Sequence, residues 1–163
     1  MLYAVLVAAL VAIDQVVKYL VRANIPLGES IPFLPHVMDL TYVQNTGAAF
    51  SMFSEHTWML TLLSLVVSVL LVLVLVKGWV TRTRLGRVCV AVVLAGAVGN
   101  LIDRALFNFV TDMFETTFMN FAVFNVADIC VVLGGIGFCA YYLFLYEKLE
   151  GKESGHDDAG TAG

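Results

Sequence analysis

Residues 124–146 read FNVADICVVLGGIGFCAYYLFLY, and after Asp128 no charged residue follows until Glu147. A run of this length and composition crosses a bilayer as a helix. It carries a carboxylate about one turn inside its start. Such a group costs roughly 2.5–3.5 kcal/mol at the helix centre on insertion scales, so it persists where it does chemistry, binds an ion or holds a polar network. A second acid, Asp112, sits in the polar break just upstream. Two carboxyls brought together at one membrane face can share a proton, the arrangement with which a carboxyl pair hydrolyses a peptide bond without metal.

The rest of the chain belongs to the same environment. Of its 163 residues 60% are hydrophobic and only 13% charged, with a mean hydropathy of +0.89. A soluble domain carries about 25% charged residues, so this chain cannot cover itself with polar surface. Three further runs approach the required length, at about 2–21, 58–76 and 85–106, with the fourth at about 126–146. We therefore expect an all-α membrane protein of four transmembrane helices, with residues 1–150 forming one domain and 151–163 (GKESGHDDAGTAG) a disordered cytoplasmic tail. The first run lacks a basic leader and contains Asp14 and Lys18, so it reads as a retained span and not as a cleaved signal peptide.

Loop charges orient the spans. Lys77, Arg82 and Arg84 lie between spans two and three and Arg87 just inside the start of span three, with no acid among them. Residues 23–57 and 107–125 carry acids and no Lys or Arg. Positive charge stays inside, which places the 77–87 loop and both termini in the cytoplasm. Within the outer segment, Pro26, Pro32, Pro35 and Gly28 punctuate the start, and Val37–Gln44 reads as a strand before a turn at Asn45-Thr46-Gly47. A small extracytoplasmic β-layer between spans one and two is expected.

No basic stripe for nucleic acid is present. Cys89, Cys130 and Cys139 lie in apolar runs, and His36, His56 and His156 are isolated, so no spacing suggests a metal site or a disulfide framework. We expect no metal and no cofactor.

The intramembrane polar residues converge in depth. At 1.5 Å per residue, Asp14 and Lys18 lie roughly 18 and 24 Å above the inner end of span one. Asn100 and Asp103 lie roughly 22–27 Å up span three. Asp128 enters span four from the same outer side. Asp14 and Lys18 are spaced i,i+4 with the acid first, the favourable order for a helical ion pair. Gly96, Asn100 and Asp103 share a face, as do Asn125 and Asp128. Each feature has a structural reading: an ion pair for Asp14–Lys18, a buried network for Asp103–Arg104, a solvated loop acid for Asp112, a helix-dipole charge for Asp128. A transporter or proton-relay subunit is the rival function, since intramembrane acids also mark ion paths. A scaffold whose acids merely join helices is a third.

Five blocks, in order, resemble the bacterial lipoprotein signal peptidases (signal peptidase II): Asp14-Gln15-x-x-Lys18, Asn45-Thr46-Gly47-Ala48-Ala49-Phe50-Ser51, Gly96-Ala97-x-Gly99-Asn100-x-x-Asp103-Arg104, Val110-Thr111-Asp112 and Phe124-Asn125-x-Ala127-Asp128. The resemblance spans about residues 10–146. Two positions depart from the pattern: Ala95, where a second glycine is frequent, and Met113, where phenylalanine is usual. The resemblance implies an intramembrane aspartyl endopeptidase of the bacterial cytoplasmic membrane, acting near the outer face without metal. It would cut prolipoproteins before a diacylglyceryl-modified cysteine. By the same resemblance Asp112 and Asp128 are the catalytic pair. Asp14, Lys18, Asn45, Gly99, Asn100, Asp103, Arg104 and Asn125 form the supporting or substrate-binding shell. Lipidated prolipoproteins and membrane lipid are the expected partners, and a monomer the expected state.

Overall fold

A computed structural model describes residues 1–47 and 57–149. The Ala48–Ser51 half of the second motif and the expected 151–163 tail lie outside the described residues. Four helices dominate: α1 (Leu2–Asn24), α2 (Thr57–Lys77), α3 (Arg84–Phe107) and α4 (Val126–Phe144), each long and apolar enough to cross a membrane. Three strands, β1 (Ser30–Leu34), β2 (Met38–Asn45) and β3 (Val110–Thr116), form one antiparallel sheet in the order β1-β2-β3. The expected four-span helical architecture with a small β-layer is what folds. The layer is wider than expected, because residues 110–116, between the third and fourth helices, supply its third strand. Period-2 burial was hidden there: Val110, Thr111, Asp112 and Met113 are all buried, so the strand shows no apolar–polar alternation.

Both ends of the bundle are tied by side chains. At the end holding the chain's start, Arg87 stacks over the Tyr3 ring at 4.8 Å and donates to the Leu75 carbonyl at 2.6 Å. Nearby, the Tyr141 hydroxyl of α4 lies 2.9 Å from Thr81 Oγ1 and accepts from Thr83 Oγ1 at 2.8 Å. Thr83 also caps α3 by accepting the Gly86 N–H. Between the ends, Leu75, Val90, Ala91 and Leu94 pack with Leu6, Val7 and Phe138.

Lipid offers no hydrophobic drive for helix association, so close contact must supply it. Helix α3 approaches α4 through small residues. A Cβ on Gly96 would collide with the Ala127 carbonyl oxygen, and one on Gly134 would meet the Cys89 carbonyl oxygen at 2.9 Å. This approach carries the start of α4 against the far half of α3, which sets the depth of Asp128.

The sheet sits at the opposite end. Helix α3 ends at Asn108 in the left-handed conformation (φ 62°), and its N–H bonds back to the Arg104 carbonyl. The chain then enters β3, whose alternate residues point opposite ways. Met113 joins Val21, Ile25 and Tyr42 in a cluster against the end of α1. Its unbranched, flexible side chain is fully buried and fills this apolar site. Asp112 faces the other way.

Candidate active site

The two acids reach one cleft by different routes. Asp112 is carried by β3 and pairs across the ladder with Val43. Asn45, two residues on from Val43, shares that face and donates its side-chain amide to Asp112 Oδ2 at 2.9 Å. Asp128 is carried by the first turn of α4. The intervening segment folds back: Phe124 pairs with Phe114, accepting the Phe114 N–H at 2.8 Å and donating to the Phe114 carbonyl at 3.2 Å. That pairing delivers Asn125, the next residue, beside Asp112.

Asn125 joins the two acids. Its side-chain oxygen accepts the Asp128 N–H at 2.9 Å, while Asp128 Oδ2 accepts the Asn125 N–H at 3.1 Å, a reciprocal capping box. With its oxygen so used, its amide nitrogen is left to donate to Asp112 Oδ1 at 2.6 Å. Asn45 works the same way, its oxygen accepting the Gly47 N–H at 3.0 Å and its nitrogen serving Asp112. Both oxygens of Asp112 therefore face amide donors that cannot turn without losing a backbone bond.

Asp128 is served from α3 and, behind it, α1. Asn100 donates to Asp128 Oδ1 at 2.7 Å. Its own oxygen accepts from Lys18 Nζ at 3.0 Å, which fixes the amide's direction. Lys18 is completely buried and lies 3.0 Å from Asp14 and 3.5 Å from Asp103. Charges so enclosed need partners, and losing one partner of a buried pair costs about 3–5 kcal/mol.

The two flanking acids also organise backbone. Asp14 Oδ1 accepts the Ala127 N–H at 2.9 Å, so α1 caps the start of α4. Gly99 makes room for this: a Cβ there would stand 2.7 Å from Asp14 Oδ2. Asp103 Oδ2 accepts the Thr111 N–H at 2.9 Å and so fixes the start of β3. Arg104 lines the cleft, with Nη2 donating to the Gly47 carbonyl at 3.3 Å and Nη1 to Ser64 Oγ at 3.5 Å.

Asp14, Lys18, Asn45, Gly99, Asn100, Asp103, Arg104, Asp112, Asn125 and Asp128 thus come into one connected network, in which the i,i+4 pair of Asp14 and Lys18 forms as its spacing suggests. Three participants have no role in the sequence reading, although Gln15 and Thr111 stand within its motifs. Gln15 donates to Asp14, Asp103 and the Gly99 carbonyl. Thr111 accepts from Arg22, the third, at 2.9 Å. The Asn-x-x-Asp spacing of Asn125 and Asp128 was a readable capping signal; nothing in the sequence announces the Arg22–Thr111 contact, which spans 89 positions.

The cleft has a volume of about 610 Å³. Asn45, Asn100, Arg104, Asp112, Asn125 and Asp128 form its polar part, and Phe121, Ile129, Val132 and Leu133 its apolar wall. Burial pushes the Asp112 carboxyl up to about 6; the Asn125 and Asn45 donors oppose the rise, and the Asp128 charge adds to it. A carboxyl titrating there can hold or release a proton near neutrality.

Known proteins match this chain along most of its length. The sequence profile described as Signal peptidase (SPase) II matches residues 6–144. The lipoprotein signal peptidase of Enterococcus faecalis is 42% identical, over 92% of this chain and 93% of its own. That of Clostridioides difficile is 36% identical, over 91% and 99%. Two solved structures share the fold. A bacterial membrane enzyme determined in meso at 2.3 Å has a TM-score of 0.80 at 27% identity, covering 91% of this chain and 90% of that one. A second, at 1.9 Å, has a TM-score of 0.79 at 28% identity, covering 88% and 93%. A multi-pass bacterial membrane protein with this profile match and these relatives is a peptidase, and the chain belongs to the signal peptidase II family.

Proposed function

We propose that this protein is an intramembrane aspartyl endopeptidase that removes signal peptides from prolipoproteins, cutting before a diacylglyceryl-modified cysteine, with Asp112 and Asp128 as its catalytic pair. The observation that carries the reading is Asn125: one residue hydrogen-bonds both carboxyls, and both line one cleft with an apolar wall. Membership in a peptidase family leaves the transporter reading without support.

In this mechanism one proton is shared by the pair. Asp128, in the first turn of α4 and accepting two N–H donors, is the ionised base. It takes a proton from water as the water oxygen attacks the scissile carbonyl. Protonated Asp112 donates to the carbonyl oxygen and stabilises the developing oxyanion. When the tetrahedral intermediate collapses, the proton held by Asp128 passes to the leaving nitrogen, the C–N bond breaks, and the new carboxyl and amine depart. Arg104 and the asparagines hold the acids and the peptide in place.

The signal-peptide helix and acyl chains enter sideways from lipid along the wall of Phe121, Ile129, Val132 and Leu133. The cleft lies toward the outer face, with both termini cytoplasmic, because the basic residues 77–87 occupy the opposite end of the bundle. The protein acts as a monomer, residues 1–150 forming the working domain.

The deciding experiment is cleavage by purified protein of a prolipoprotein carrying diacylglyceryl-cysteine, beside an unlipidated form and a Cys→Ser form. Cleavage of the lipidated substrate alone is expected. Equal rates on all three would remove the lipid requirement, and no cleavage by wild type would remove the proposal.

A further inference from the structure

Arg22 belongs to none of the motifs that carry the resemblance, yet it meets three residues of two other elements, α3 and β3, at once. From the last turn of α1, its Nη1 donates to Thr111 Oγ1 at 2.9 Å and stands 3.8 Å from Asp103 Oδ1. Its guanidinium lies 4.6 Å over the Phe107 ring, and Phe107 in turn stacks on Phe109 at 5.8 Å. The α3–β3 turn, Phe107 to Thr111, is thereby held from outside by one cation, while Asp103 holds it from inside through the Thr111 N–H. Asp112 is the next residue.

We propose that Arg22 is a positioning residue for Asp112, resting on the reading of Asp112 and Asp128 as the pair. Thr111 and Asp112 point to opposite faces of β3. A strand gripped at Thr111 by both side chain and backbone therefore has little freedom to rotate or slide at Asp112. Arg22 lies across the strand from the cleft and takes no part in its lining. It acts through Thr111, not by its charge on the carboxyls. The planar guanidinium suits this task, since it lies over the Phe107 ring while its Nη1 donates to Thr111 and its charge stands near Asp103; a lysine ammonium cannot both stack and donate in this way. Misplacement by about 1 Å costs on the order of 100-fold in rate where reacting groups must be aligned.

The test compares wild type with Arg22→Lys, Arg22→Met, Thr111→Val and the Arg22→Met/Thr111→Val double variant on a lipidated prolipoprotein. Thermal stability is measured alongside. The expected result is kcat reduced about 10-fold or more in Arg22→Met, with KM changed less than about twofold and Arg22→Lys recovering only part of the loss. Thr111→Val should lower kcat in the same way, and the double variant should be no worse than the poorer single one. The pH profile of kcat should shift in Arg22→Met, because the spacing of the carboxyls sets how they share a proton. An unchanged kcat and pH profile would overturn the proposal even if melting fell, since a plain stabiliser behaves that way. A rise in KM at constant kcat would overturn it in favour of substrate contact. Asp112→Asn is the control: were it active, the pair itself would be misassigned, an outcome separable from failure of the Arg22 proposal.

Discussion

Asn125 Nδ2 stands 2.6 Å from Asp112 Oδ1 and has no alternative direction, because the same side chain's oxygen holds the Asp128 N–H. The amide thus converts a helix cap into a fixed donor at a carboxylate on another element. Were Asn125 reversed, it would lose the cap and set two oxygens against each other.

This geometry shapes the outcome of amide substitution at the acids. Asp112→Asn and Asp128→Asn should each abolish cleavage, since an amide neither accepts the water's proton nor shares one. Neither is structurally silent. An amide nitrogen at position 112 must face the Asn45 or Asn125 donor, and one at 128 must face Asn100 or the Asn125 N–H. A loss of about 1–3 kcal/mol is expected for each, from the donor left unsatisfied. Melting measurements beside turnover check this. Near-normal turnover in a folded single variant would refute the pair.

Stability should carry the signature of Asp112. Its value of about 6 lies above the ordinary 3.8, so the native state holds a proton the unfolded chain has released. That contribution is fully present below the unfolded value and is lost as pH rises through about 6. The stability gap between wild type and Asp112→Asn should therefore be larger at pH 4 than at pH 8. Denaturation at the two pH values reads it; a gap that widens with pH would contradict the buried, protonatable carboxyl. Cleavage should likewise weaken above about pH 6 as Asp112 loses its proton.

Replacing Lys18 with Met should be severe, by about 3–5 kcal/mol, because Asp14 and Asp103 are left as buried charges with one cation fewer. Asp14→Asn should be milder and keep some activity: its amide nitrogen would face the Lys18 and Gln15 donors, but Lys18 keeps Asp103 as a partner and the amide oxygen can still accept the Ala127 N–H. Abolished turnover in a well-folded Asp14→Asn variant, with Asp112→Asn active, would reassign the pair.

Gly99→Ala tests the packing. Its methyl group would press on Asp14 Oδ2 and on Ala127 Cβ at 3.1 Å, displacing the start of α4 that carries Asp128. Overpacking of this kind costs about 1–3 kcal/mol. Gly135→Ala, where the added carbon meets nothing within 4 Å, should leave melting within about 0.5 kcal/mol of wild type. Equal melting of the two variants would show that Gly99 is not needed for the approach.

Chelation is the simplest test. Among the described residues no three or more His, Cys, Asp or Glu side chains gather as a metal site. Cleavage in excess EDTA should match cleavage without it, and loss restored by zinc would point to metal chemistry.

Much of this protein was readable from local features alone. Run length and scarcity of charge determined four spans, because a bilayer accepts only long apolar helices. Helical rise placed Asp14, Lys18, Asn100, Asp103 and Asp128 at one depth, because depth is a property of a single segment. The tertiary structure decided what pairing between distant segments decides. It made residues 110–116 a strand, since both faces are buried and no alternation survives to signal it. It turned Asn45 and Asn125 toward Asp112, and it set Asp14 to cap α4, contacts spanning 67, 13 and 113 positions. It also brought Arg22 to Thr111. A residue's depth follows from its own helix, but the direction of its hydrogen bonds depends on which donors and acceptors the fold has already used.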